Sequence, residues 1–194
     1  MGDSNDCDKE RTSTAGISHH LVVRFSDSLT GADTIGRHQE VIQKKKAVWL
    51  AKQGQPLGHA KIRILNDQIE AGVPTFVFLV SRQFARYEWH RGTLLRVAGD
   101  VPPHERCLIP RYYVNCPGLK SARLWLKMSC LTPAPDAELN SLHVASSGSD
   151  IYTALHASIA GMFFVLSGAD QGRQRQLKHR RLEDAVLDAF SEEW

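Results

Sequence analysis

A chain of 194 residues with 42% hydrophobic and 23% charged side chains holds enough apolar material for one domain with a substantial core, which argues against wholesale disorder. Its 24 Lys and Arg exceed its 21 Asp and Glu by only three, so no general basic field points to a polyanion and any such case must come from local patches. The opening residues are polar and acidic with no apolar h-region, and the longest apolar run, around 159–166, is far below membrane-spanning length, so neither export nor a membrane partner is expected.

Residues 1–17 lack apolar periodicity and read as a disordered tail. The stretch HHLVVRFSD then has the β-branched, apolar composition of a strand. TGADTIGRHQEVIQKKKA fits a helix capped by Asp33 or Thr34, with Ile35, Val41 and Ile42 on a shared face and Gly36 as an unfavourable interior residue. AVWLAKQG is a second short strand. GHAKIRILNDQIEAGVP is a second helix, ended by Gly72 and then Pro74 in the order expected of a helix C-terminus. TFVFLV has the continuous apolar pattern of a strand covered on both faces, and YEWHRGTLLRV pairs with it as a hairpin. Simple alternation along the latter puts Tyr87, Trp89, Arg91, Thr93, Leu95 and Val97 on one face.

VPPHERCLIP, punctuated by proline, reads as a connector that continues into RYYVNCPG. RLWLKMSCL is a strand with Leu124, Leu126 and Met128 on one face and Arg123, Trp125, Lys127 and Ser129 on the other. TPAPDAEL turns into a short helix, and SSGSD is a loop. IYTALHASIAGMFFVL is a helix, or a helix followed by a strand with Gly161 marking the change. Residues 169–194 contain RQRQLKHRRLEDAVLDAFSEEW, an amphipathic helix with Leu182, Val186 and Phe190 at four-residue steps. Its cations precede its acids, the unfavourable order for the helix dipole, which is easier to explain if the basic end docks on an acidic protein partner.

Cys7, Cys107, Cys116 and Cys130 form no CxxC pair, and the nine histidines show no metal-ligand spacing. Four reduced thiols in a cytoplasmic protein and no metal are the expectation. No Walker A loop, GxSxG elbow, HExxH, HxE with PCxxC, or GxGxxG is present. No catalytic residue and no cofactor are therefore assigned, and an enzyme is the less favoured reading.

Binding chemistry has more support. On RLWLKMS a ring sits between two cations, so that Arg123 and Lys127 can neutralise phosphates while Trp125 stacks on a base. Tyr87 and Trp89, with Trp49, are candidate walls of an aromatic slot, Arg91 a donor on the same face, Lys52 a further phosphate contact, and Ser26 and Asp27 contacts for a ligand edge.

The order of these elements, with the motifs AVWLAK, YEWHRGTLLRV and RLWLKMS, resembles the mixed barrel of the PUA-like superfamily and, within it, EVE-like modules, over about residues 19–167. The resemblance implies an α+β fold with a mixed, partly closed β-barrel and flanking helices, as one domain over 18–168. It also implies recognition of a modified or flipped base in DNA or RNA, with Trp49, Trp89 and Trp125 as stackers and Ser26 and Asp27 as edge contacts. The leading expectation is thus a non-catalytic nucleic-acid recognition module. The alternatives are a protein–protein interaction module, and a small hydrolase or nucleotide-processing enzyme using Asp27 with a histidine.

Overall fold

The computed structural model describes residues 17–29, 31–54, 56–83 and 86–168. The expected tail over 1–17, apart from its last residue, and the expected C-terminal helix lie outside the described residues. Seven strands form one mixed sheet in the order β2-β5-β4-β3-β1-β7-β6. They are β1 (Ser18–Arg24), β2 (Val48–Lys52), β3 (Phe76–Gln83), β4 (Arg86–Ala98), β5 (Leu124–Pro133), β6 (His143–Val144) and β7 (Met162–Ser167). Helices α1 (Thr34–Lys45), α2 (His59–Glu70), α3 (Pro117–Lys120), α4 (Asp136–Asn140) and α5 (Ile151–Ala157) flank it. The α+β class, the hairpin of β3 with β4 and the mixed sheet agree with the expectation.

β1 and β3 run parallel, and the other pairings are antiparallel. Between β1 and β3 lie α1, β2 and α2, the length of chain that a parallel crossover requires. α1 begins at Asp33, whose Oδ1 accepts from the Gly36 N–H at 2.9 Å. A Cβ on Gly36 would lie 2.2 Å from the other Asp33 oxygen. The glycine that looks unfavourable inside a helix is what lets the capping carboxylate fold back. α2 ends as expected at Gly72, which takes φ +74°.

The inner face of the sheet carries Leu21, Val23, Val48, Leu50, Val77, Leu79, Leu94, Leu124, Leu126, Met128 and Phe164, joined by Leu65 from α2. The sheet wraps around this core. Lys52, at the end of β2, lies so close to the start of β7 that a Cβ on Gly161 would sit 2.8 Å from its Nζ. β2 and β7 are not hydrogen-bonded to each other, so the barrel is only partly closed. TFVFLV is covered on both faces as expected, with Val77 and Leu79 inside and Phe78 and Val80 in an outer cluster beneath α4 and α5.

Two expectations need correction. The register of β4 against β5 shifts between Arg91 and Thr93 and again between Leu94 and Arg96. Gly92 sits at the first shift, where β5 has the two residues Cys130 and Leu131, and Cys130 adopts φ +51°. The second shift turns Val97 into the inner core and leaves Leu95 exposed, because a bulge reverses the alternation of side chains beyond it. The 101–118 connector forms 3₁₀ turns at Pro103–Leu108 and Arg111–Asn115 before α3. Cys130 is disulfide-bonded, so the four thiols are not all reduced; Cys107 and Cys116 are free. Gly161 does mark the change from α5 to β7, and no described helix is long and apolar enough to cross a membrane.

Candidate functional site

Trp89 does not join the other two tryptophans expected beside it. Trp49 and Trp125 lie on the outer face of β2 and β5, packed with Val101, Tyr113 and Leu119 of the 101–122 segment. Trp49 is 0% exposed and Trp125 7%. The Trp49 Nε1–H donates to Glu105 Oε2 at 2.9 Å, and that of Trp125 donates to the Ala122 carbonyl at 3.2 Å. Lys127 Nζ donates to the other Glu105 oxygen at 2.9 Å and lies 6.0 Å from the Trp49 ring centroid. The lysine's hydrogen bond, more than that of the indole, holds the Glu105 carboxyl below its ordinary range. Ring and cation alternate on β5 as the sequence suggests, yet the 101–122 segment covers the rings and its glutamate neutralises the cation. Trp49 is therefore corrected from stacker to core, and Lys127 from phosphate contact to structural ion pair. Arg123 remains exposed on this side.

Trp89 belongs to a separate outer cluster and packs edge-on against Tyr152 at 5.9 Å. Arg91 pairs with Glu138 and covers the Phe76 ring at 5.0 Å, so its guanidinium is already engaged. Asp27 accepts from the Thr34 N–H at 3.0 Å and braces the β1–α1 loop, while Ser26 is exposed and bonds Ser28 at 2.7 Å. Asp27 bears electrostatically on His38, which is 0% exposed. Its Nδ1–H donates to the Thr34 carbonyl at 2.6 Å, leaving Nε2 to accept from the Tyr113 hydroxyl at 3.1 Å. Burial lowers its pKa to about 4. A neutral imidazole with both nitrogens bonded and no solvent access makes a poor general base, so this pair does not support a hydrolase.

An open cleft of about 310 Å³ lies at the other end of the sheet. It falls at the lower end of the range for small-molecule sites, roughly 300–1,000 Å³. Because β1 and β3 are parallel neighbours, their C-terminal ends lie side by side, with Arg24 opposite Val80. Arg24 and Phe25 therefore stand next to Val80 and Arg82, and Tyr87 enters across the hairpin opposite Arg82. The end of α5 and the loop after it, with His156, Ser158 and Ile159, form the opposite wall. His156 meets Tyr87 edge-on at 5.5 Å. Arg24 donates from Nη2 to the carbonyls of Leu155 and Ser158, the latter at 2.8 Å, and lies 5.7 Å from the Phe163 ring centroid. Its buried Nε has no hydrogen-bond partner among the described residues. Lys52, lying against Gly161, reaches this same end, where burial lowers its pKa.

Of the predicted residues, then, Tyr87 lines the cleft and Lys52 stands near it, while Trp49, Trp89, Arg91, Trp125, Lys127 and Asp27 are committed elsewhere. Arg24, Arg82, Phe25 and His156 were missed. The available signal was a cation at the end of each of two apolar strands, LVVR and VFLVSR, which becomes meaningful only once those strands are known to be parallel neighbours.

No curated protein and no solved structure matches the chain. A family model described as Pua-like matches residues 21–153. That match runs from β1 into α5 and covers more than half of the sequence, and with the mixed, partly closed barrel it establishes that this chain belongs to the Pua-like family.

Proposed function

We propose that the protein is a non-catalytic nucleic-acid recognition module that seats one nucleotide in the cleft beneath α5. At the level of the family, membership supports nucleic-acid binding. The observation that carries the proposal to this particular cleft is its pairing of aromatic walls with cations. Tyr87, Phe25 and His156 stand beside Arg82 and beside Arg24, whose Nε is buried without a partner. Aromatic faces stack on any base, at about 1–3 kcal/mol per base, and guanidinium groups meet the phosphates. In this reading Tyr87 is the stacker, Arg82 and Lys52 are the backbone contacts, and Arg24 offers its Nε to a base edge or phosphate oxygen.

A base displaced from its stack, modified or not, fits a cleft of this volume better than a paired one. Exposed Ser26 follows Phe25 directly and is the remaining predicted edge contact. A nucleic-acid partner accords with a cytoplasmic location, while the disulfide at Cys130 points the other way.

Fluorescence anisotropy with labelled single-stranded RNA and DNA of one sequence tests the proposal. Affinity should fall as salt rises, because phosphate neutralisation releases counterions. Tyr87→Ala should weaken binding about tenfold, the equivalent of roughly 1.4 kcal/mol. Binding by neither strand at low salt, or equal binding by the Tyr87 variant, would refute it. The preferred strand identifies the nucleic acid.

A further inference from the structure

The rim of the cleft ends in a side chain that the packing of the fold leaves unexplained. Ile159 is 100% exposed, although it lies among the residues that line the cleft. A single exposed apolar residue is ordinary on a surface. What sets this one apart is how firmly its backbone is held. Arg24 donates from its side chain to the Leu155 and Ser158 carbonyls and from its backbone N–H to the Gly161 carbonyl at 2.9 Å. The Ala160 N–H bonds Ser158 Oγ at 3.0 Å. The loop is thus tied to β1 on both sides of Ile159 by one residue, and that residue is itself a wall of the cleft. A β-branched side chain has few rotamers, so Ile159 projects as a stiff apolar point, with Arg24, Arg82 and Lys52 at the same end of the barrel.

We infer that Ile159 is a wedge that enters between two stacked bases beside the nucleotide held in the cleft. Apolar side chains flanked by cations do this in proteins that open or kink a duplex: the phosphates are held while the side chain replaces a base as stacking partner. The inference rests on the cleft reading and narrows its ligand class. The preferred ligand is a stacked or paired segment with an openable step, rather than a free nucleotide or an unstructured strand. Coupling through Arg24 adds a consequence, since a ligand that engages its Nε also bears on the residue that positions the wedge.

The test uses the full chain with two probes of one sequence, a hairpin duplex carrying 2-aminopurine at a mismatched step and the corresponding single strand. Binding of the wild type should raise 2-aminopurine emission in the hairpin, because unstacking relieves its quenching. Ile159→Ala should lose that rise, and should lose more affinity for the hairpin, about fivefold, than it loses for the single strand. Ile159→Leu should restore the rise. The side chain is fully exposed, so neither variant should shift the thermal midpoint.

Single-strand binding without any hairpin emission change in the wild type, or an unaltered rise in Ile159→Ala, overturns the wedge and leaves the cleft reading standing. Binding of neither probe overturns both. Sedimentation of the wild type as a dimer that Ile159→Asp converts to monomer assigns the residue to self-association and likewise overturns the wedge.

Discussion

On the outer face of β2 and β5, two indoles lie among Lys127, Glu105 and the 101–122 segment, whereas at the end of β1 and β3 a tyrosine, a phenylalanine and a histidine lie beside two arginines. Both regions combine rings with cations, and they use the combination differently. In the first, a segment rich in 3₁₀ turns closes over the rings, and one carboxylate takes both the indole N–H and the ammonium. In the second, the end of α5 and the loop after it border an open cleft, and the guanidinium of Arg24 keeps a buried donor without a partner among the described residues. On the proposed reading, rings beside cations mark a binding site only where no acid and no covering segment has already satisfied them.

The sharpest way to break this contrast is to truncate the sealed face. Trp49→Ala should cost about 3–5 kcal/mol of stability, as large-to-small changes at fully buried aromatics do, read as a lower urea midpoint. Whatever fraction remains folded should bind nucleic acid with wild-type affinity. A folded Trp49→Ala variant that binds far more weakly would mean that the two regions are one site.

Glu105→Gln is the next largest. It removes the charge that pairs with Lys127 and weakens the hydrogen bonds to Trp49 and Lys127, and should cost about 1–3 kcal/mol. It also sharpens the acid behaviour. The folded Glu105 carboxyl titrates below its ordinary value, so its contribution is present above the unfolded pKa and is lost as the pH falls through the folded one. The Gln variant should lack that part of the acid decline.

A broader decline should precede it. His20 and His38 are buried and neutral, with pKa values lowered from 6.5 to about 4, chiefly by burial. Between those two values the unfolded chain binds protons that the folded chain does not. Stability should therefore be level above pH 6.5 and decrease as the pH falls toward about 4. Urea midpoints measured across that interval check the sign. A midpoint that rises on acidification would contradict the neutral assignment of both imidazoles.

Much of the architecture is legible in the residues themselves. TFVFLV announces a doubly covered strand, the alternation in RLWLKMS correctly separates core leucines from outer side chains, and Gly161 separates helix from strand. Local sequence does not carry the two register shifts between β4 and β5, since a bulge depends on how two distant strands pair. The candidate site was less legible for a related reason. Arg24 and Arg82 are 58 residues apart and come together through the parallel pairing of β1 with β3. The masking of Trp49 depends on Glu105, which is 56 residues away in a stretch that reads as a plain connector. Tyr87 falls in the candidate cleft because β4 pairs with β3 there, whereas Trp49 and Trp89, expected beside it, are not among the residues that line it.

The most direct measurement compares charge reversal at two exposed arginines, one at each region. Arg82→Glu and Arg123→Glu should both fold as the wild type does, and labelled single strands can be titrated against each over a range of salt. The account predicts that Arg82→Glu weakens binding and lowers the slope of log affinity against log salt by about one, while Arg123→Glu leaves both unchanged. A reduced slope and affinity in Arg123→Glu with none in Arg82→Glu would contradict it and return the nucleic-acid contact to the tryptophan face.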